Sequence, residues 1–277
     1  MTGKELIGEK EMNTLDFNEK KGFICDMDGV LYHGNRILPG VAEFIQWLHD
    51  EKKEYLFLTN NSGYTPRELG QKLSRMGLDV PEEHFYTSAL ATAAFLKEQA
   101  PGCSAFVIGE AGLLNALYDA GITMNDVNPD YVVVGEGRSY SLDTLTKATN
   151  LVVKGARLIG ANSDVSGPIE NGIAPACRAL VAPIEMATGT KAYFCGKPNP
   201  LMMRTGLRLL NCHSAEAVMV GDRMDTDVIS GLESGMSTVL VLSGVSTRAT
   251  LETYAYRPSI VLDGVGDIVK MARGSKG

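Results

Sequence analysis

Seven segments of the chain share one grammar: a short apolar run, then a polar turn rich in Gly, Asn or Asp, then an amphipathic helical pattern. GFICDMDG and YLFLTNNSG come first, AFVIGEAG, YVVVGEGRS and RLIGANSD follow, and AVMVGDRMD and TVLVLSGVS close the series. Strands alternating with helices at this spacing predict βαβ units and parallel sheet, hence an α/β fold. The helix starts are marked. Thr65-Pro66-Arg67-Glu68 is a capping box with proline at the first helical position, opening PRELGQKLSRM, which Gly77 closes. Asn199 and Pro200 open LMMRTGLRLL in the same way, and TDVISGLES stops at Gly235.

A chain of 277 residues sits where single cores stop growing, so one large domain or a core plus an insert are both allowed. Residues from about 90 to 193 carry a strand–helix series of their own, long enough for a separate lobe entered through PGC at 101–103 and left through TGTKA at 188–192. With 26 basic against 33 acidic residues, the net charge of −7 argues against a nucleic-acid polymer or an anionic membrane as partner. A small phosphorylated ligand needs only a local positive site. No apolar stretch approaches the roughly 20 residues that span a bilayer, and the first twenty residues are too charged for a secretory signal. The five cysteines, at 25, 103, 177, 195 and 212, form no CxxC pair, as expected of reduced thiols in a cytoplasmic protein. Nothing excludes a homo-oligomer.

In an open parallel sheet, ligands bind at the carboxyl ends of strands, where residues distant in sequence converge. Asp26 and Asp28 follow GFIC, Thr59, Asn60 and Asn61 follow YLFL, Lys197 follows AYFCG, and Asp222 and Asp227 follow AVMVG. Like charges as close as Asp26 and Asp28 are costly unless a cation or a proton lies between them. Taken alone, the stretch is open to a metal site, shared-proton chemistry or a polar turn capping a strand. An EF-hand is excluded, because DMDGVLY lacks the further oxygen ligands. Lys197 stands before a helix start, where a cation gains nothing from the helix dipole, and a bound anion would explain it. Carboxylates for a metal, hydroxyl and amide donors for an anion and one ammonium suit phosphoryl transfer.

DMDGV, TNN, GKP and GDRMDTD, in this order, resemble the four motifs of the haloacid dehalogenase-like phosphatases, over nearly the whole chain from about residue 22 to 265. LTNNSGYTPREL, VNPDYVVVGE, GKPNP and GDRMDTDVISGLESGMSTVLVLSGVS resemble the NagD-type subfamily most closely. The resemblance implies a Rossmann-like parallel-sheet core with an inserted smaller α/β cap: core at 21–89 and 194–277, cap at 90–193, and an N-terminal extension at 1–20. It implies Mg²⁺-dependent hydrolysis of small phosphate monoesters, such as nucleoside monophosphates, sugar phosphates and p-nitrophenyl phosphate.

By the same resemblance Asp26 is the nucleophile and forms an aspartyl-phosphate, and Asp28 protonates the leaving group and then activates water. Thr59, Asn60, Asn61 and Lys197 hold the phosphoryl group. Asp26, the Asp28 carbonyl and Asp222 hold Mg²⁺, with Asp227 behind them orienting Lys197 or metal waters. Gly29 keeps the turn open where substrate approaches. Arg223 departs from the neutral residue expected there, and either touches substrate or is solvated. The turn ANSDVSG at 161–167 is the candidate for reading the leaving group. VVVGEGRSYS has G-x-G without the third glycine, which argues against a dinucleotide site. No GxxxxGK[ST] or GxSxG occurs, and the histidines at 33, 49, 84 and 213 are dispersed, His33 being read as an exposed loop residue. A phosphometabolite-binding regulator with little turnover and a phosphomutase are the alternative functions.

Overall fold

The computed structural model describes residues 15–138, 140–169 and 172–274, so most of the N-terminal extension lies outside the described residues. Six strands form one sheet, in the spatial order Ile260–Leu262, Ser237–Val241, Ala217–Gly221, Gly22–Cys25, Glu54–Thr59 and Phe85–Thr87. Every pairing in it is parallel. Side chains alternate between faces with the two-residue period of a strand. Phe23, Cys25, Phe57, Val218, Val220, Val239 and Val241 pack on one side with helices Val41–Asp50, Pro66–Arg75 and Gly266–Gly274. Ile24, Leu56, Leu58 and Met219 point to the other side, towards helices Ser88–Gln99 and Pro200–Leu209. Both faces are therefore apolar, which is why these strands read as near-continuous hydrophobic runs.

A second parallel sheet runs Tyr193–Phe194, Arg157–Gly160, Tyr131–Val134, Ser104–Ile108 and Thr123–Met124. Phe194 pairs with Gly160, so the chain leaves this sheet only after residue 194. A hairpin of Ser166–Ile169 against Gly172–Pro175 hangs from it. The two sheets share a cluster in which Leu58 and Met219 of the first join Val133 and Ile159 of the second, with Ala89, Ala93 and Leu96 of the intervening helix. The result is an α/β core carrying an α/β cap.

The predicted punctuation is present. Helix Pro66–Arg75 opens on Thr65, whose hydroxyl accepts from Glu68 N while Glu68 accepts from Thr65 N. Helix Pro200–Leu209 opens on Asn199, whose side chain accepts from Leu201 N. Among the described residues no helix is long and apolar enough to cross a membrane.

Candidate active site

Asp26 follows the last residue of the central strand Gly22–Cys25, and Asp222 follows the neighbouring strand Ala217–Gly221. Cys25 is in register with Val220, so the two aspartates leave the sheet side by side although nearly two hundred residues separate them. Thr59 ends the strand on the other flank. Asp26, Asp222 and Asp227 each present a carboxylate oxygen within 4.8 Å of the others.

Gly29 explains how they fit. It has φ +78°, and a Cβ there would lie 2.5 Å from Asp222 Oδ2. The glycine makes room for the second carboxylate, and it also lines the cavity above.

Lys197 is 2 % exposed. Its Nζ donates to Asp26 Oδ1 at 2.5 Å, to Asp227 Oδ1 at 2.7 Å and to the Leu58 carbonyl at 3.3 Å. A buried ammonium requires such partners. Burial lowers its pKa, but Asp227 and Asp26 outweigh burial and the net shift is upward. Lys197 is therefore a fixed cation, and it stands ahead of the helix whose cap is Asn199 instead of on that helix.

The pKa values of two carboxylates also rise, which in an acid favours the neutral form. Burial pushes Asp26 up to about 7 against the partial relief given by Lys197. Asp222 rises to about 8, through burial and then through the charges of Asp26 and Asp227. Asp222 Oδ2 accepts from Val245 N at 2.6 Å, whereas its buried Oδ1 has no hydrogen-bond partner. An orphaned buried carboxylate oxygen among like charges is the vacancy a hard divalent cation fills, so the donor set fits a metal. Asp227 differs, because both of its oxygens are occupied: Oδ1 by Lys197, and Oδ2 by Arg223 N at 3.0 Å.

Above these groups lies a cavity of about 740 Å³, lined by Asp26, Asp28, Thr59, Asn60, Asn61, Lys197 and Asp222 from the core and by Glu136, Asp164 and both strands of the Ser166–Ile169 and Gly172–Pro175 hairpin from the cap. The Asp28 carboxylate is half exposed on its wall. Burial raises its pKa, while Lys72 and His33 pull it down.

Residues 23–123 match the family model for haloacid dehalogenase-like hydrolases, and residues 194–268 match a second one described as HAD-hydrolase-like. The chain is 49 % identical to dihydroxyacetone phosphatase of Corynebacterium glutamicum over 89 % of its own length and 90 % of that chain. It is 45 % identical to the ribonucleotide monophosphatase NagD of Escherichia coli K12, over 90 % and 98 % respectively. The chain belongs to the haloacid dehalogenase-like hydrolases, as a NagD-type phosphatase. Solved relatives share the fold: the Escherichia coli NagD structure gives a TM-score of 0.85 at 44 % identity, covering 90 % of this chain and 98 % of that one. A 4-nitrophenylphosphatase from Thermotoga maritima gives 0.89 at 33 % identity, covering 92 % and 98 %.

In this phosphatase all the residues singled out from sequence line the cavity except Asp227, which lies behind Lys197. Thr59 Oγ1 accepts from Asn61 N at 3.1 Å, and Asn61 Oδ1 accepts from Gly63 N at 2.9 Å, so the turn is braced from within. Asn60 departs from the sequence reading of its side chain. Its Oδ1 accepts from Lys197 N at 2.7 Å, and its Nδ2 donates to the Lys197 carbonyl at 3.0 Å and to Asp164 Oδ2 at 3.1 Å. The amide holds the lysine's main chain and is not aimed at a phosphoryl group. Arg223 is fixed by two hydrogen bonds to Asp225 and lines the cavity. His33, read as a loop residue, is exposed but also lines the cavity, with Nδ1 3.8 Å from Asp28 Oδ1.

Three residues were missed. Lys72, half-buried on helix Pro66–Arg75, places its ammonium 3.9 Å above the Tyr32 ring, beside Asp28. Ser62 and Glu136 bond to each other between core and cap. Glu136 stands at the end of an apolar run, the same signal that marks Asp26, inside the G-x-G of VVVGEGRSYS.

Proposed function

We propose that the chain is a Mg²⁺-dependent phosphomonoesterase working through an aspartyl-phosphate on Asp26. The observation that carries this reading is the convergence of Asp26, Lys197 and Asp222, with Asp222 Oδ1 left without a partner.

Asp26 is the nucleophile: its carboxylate attacks phosphorus, the ester oxygen leaves, and a second displacement by water returns free phosphate. Asp28, on the cavity wall, gives its proton to the leaving oxygen and takes one from the attacking water. Thr59 and the main chain of residues 60–61 hold the phosphoryl oxygens, and the Lys197 charge offsets the anion that develops. Asp26 and Asp222, with the Asp28 carbonyl, would hold the Mg²⁺, which when bound screens the carboxylates from a dianionic phosphate and keeps the reacting oxygens in line. Asp227 supports the site by anchoring Lys197.

The substrates proposed are small monoesters of the kind named for its relatives: a triose phosphate, sugar phosphates, nucleoside monophosphates and p-nitrophenyl phosphate. The Asp164 turn and the hairpin over the cavity are the parts of the cap that would meet the leaving group. Five free cysteines, four of them buried, support placement in a reducing cytoplasm.

Phosphate release from these esters, with and without Mg²⁺ and beside Asp26→Asn, tests the reading. Turnover surviving in Asp26→Asn removes the aspartyl-phosphate, and equal turnover after chelation removes the metal. Transfer to a second substrate without free phosphate would mark a mutase. Tight binding without turnover would mark a regulator.

A further inference from the structure

The turn after strand Glu54–Thr59 is held by the cap as well as by the core. Glu136 follows the cap strand Tyr131–Val134, and its Oε2 accepts from Ser62 N at 3.1 Å and from the Ser62 hydroxyl. Ser62 Oγ accepts in return from Glu136 N at 3.0 Å. The other Glu136 oxygen accepts from Asn162 Nδ2 at 2.5 Å, and Asn162 Nδ2 also donates to the Asn60 carbonyl at 2.6 Å. Ser62 and Asn162 are fully buried. A Cβ at Gly135 would stand 2.6 Å from Ser62 Oγ, so only glycine there lets the cap strand approach this closely. Gly112 N, on a cap helix, donates to the Gly63 carbonyl at 3.0 Å.

We propose that Glu136 is a positioning residue for the phosphoryl-binding turn Thr59–Asn61: the cap carboxylate sets where that turn sits, so phosphate affinity depends on how the cap is seated. The proposal rests on the reading above, in which Thr59 and its neighbours meet the phosphoryl group. Both Glu136 oxygens are already bonded to buried donors, so the residue acts through Ser62 and Asn162 and not on substrate. A glutamine in its place has one acceptor oxygen for two sets of donors, and one buried donor loses its partner.

The test uses the full-length, Mg²⁺-loaded enzyme and its Glu136→Gln variant. The readouts are kcat/KM for an alkyl phosphate, a nucleoside monophosphate and p-nitrophenyl phosphate, the Ki of inorganic phosphate as a probe without a leaving group, and Tm. We expect kcat/KM to fall by the same factor on all three esters and the phosphate Ki to rise, each by roughly ten- to a hundredfold, the cost of one unsatisfied buried donor. Ser62→Ala gives the same uniform pattern, and the double variant is no worse than the poorer single one. An unchanged phosphate Ki, or losses that differ with the leaving group, overturns the role given to Glu136. If Glu136→Gln does not fold, Ser62→Ala decides by the same criteria. Turnover by Asp26→Asn would remove the aspartyl-phosphate separately, since the ratio of phosphate affinities between the parent and Glu136→Gln does not depend on which group is the nucleophile.

Discussion

Lys197 Nζ lies 2.7 Å from Asp227 Oδ1, and the two side chains are 2 % and 1 % exposed. An ion pair so buried is costly to form and costlier to break, because the survivor keeps its charge without water. The pair also sets the direction of the site: with Asp227 fixed behind it, the ammonium is held against Asp26, where the phosphoryl group would arrive.

Asp227→Asn therefore leaves a buried ammonium with one carboxylate instead of two. We expect a loss of about 3 kcal/mol, or roughly 10 °C in Tm, together with reduced turnover as Lys197 draws closer to Asp26. Thermal unfolding checks it, and a Tm within a degree of the parent would show that the pair is not what holds the lysine.

The cation and the pH are linked through Asp26 and Asp222. Both have folded pKa values raised above 3.8, to about 7 and about 8, so the fold keeps protons that the unfolded chain has released. The sign follows: without a cation, the stabilising contribution of these groups is full below about pH 4 and fades as pH rises towards 7–8. Divalent cations replace those protons. Mg²⁺ at a hundredfold excess over Kd should stabilise the fold by about 2.7 kcal/mol, and at a fixed Mg²⁺ concentration the rise in Tm should be larger at pH 8 than at pH 6. Equal gains at the two pH values would contradict this.

Asp28→Ala should cost about 10²- to 10⁴-fold in turnover of an alkyl phosphate. With p-nitrophenyl phosphate the leaving group needs no proton, so the first displacement survives and only the attack of water is impaired. A burst of one p-nitrophenolate per site, followed by a slow steady state, is the expected trace in rapid mixing. Equal losses on both esters with no burst would argue against the general-acid role.

The cap carries an acid-sensitive pair. Burial opposes ionisation of Glu185, but Ala192 N at 2.8 Å and Arg178 at 2.5 Å outweigh it and depress its pKa below 4.5. A depressed carboxylate pKa contributes stability above its unfolded value that is lost as pH falls through the folded value. Glu185→Gln should be less stable than the parent at pH 7, with a gap that narrows as the pH falls below the ordinary glutamate value of 4.5. Chemical denaturation from pH 7 into the acid range measures the gap.

How much of this could be read from sequence depended on what each feature requires. Asp26, Thr59 and Asp222 were legible because an apolar run ending in a polar residue marks a strand end, and parallel strands bring such ends together. The helix starting at Pro66 was legible because its cap is local. The engagement of the Asn60 amide with Lys197 was not, since it depends on a partner 137 positions away. Glu136 was hidden for a related reason: its partner Ser62 lies across the cleft on another sheet. The second role of Gly29 was not legible either, because the atom it accommodates belongs to Asp222, and proximity between segments so distant is fixed only by the register of two strands.

The strand order also has a consequence for how the protein is made. Strand Gly22–Cys25 leaves the ribosome well before one of its two neighbours in the sheet, Ala217–Gly221, and the whole cap is translated between them. Until then a central apolar strand has an open edge, of the kind that invites pairing with other chains. A chain terminated before residue 217 would be inert and also adhesive, so chaperone protection of the nascent chain matters most over the stretch in which the cap is being translated.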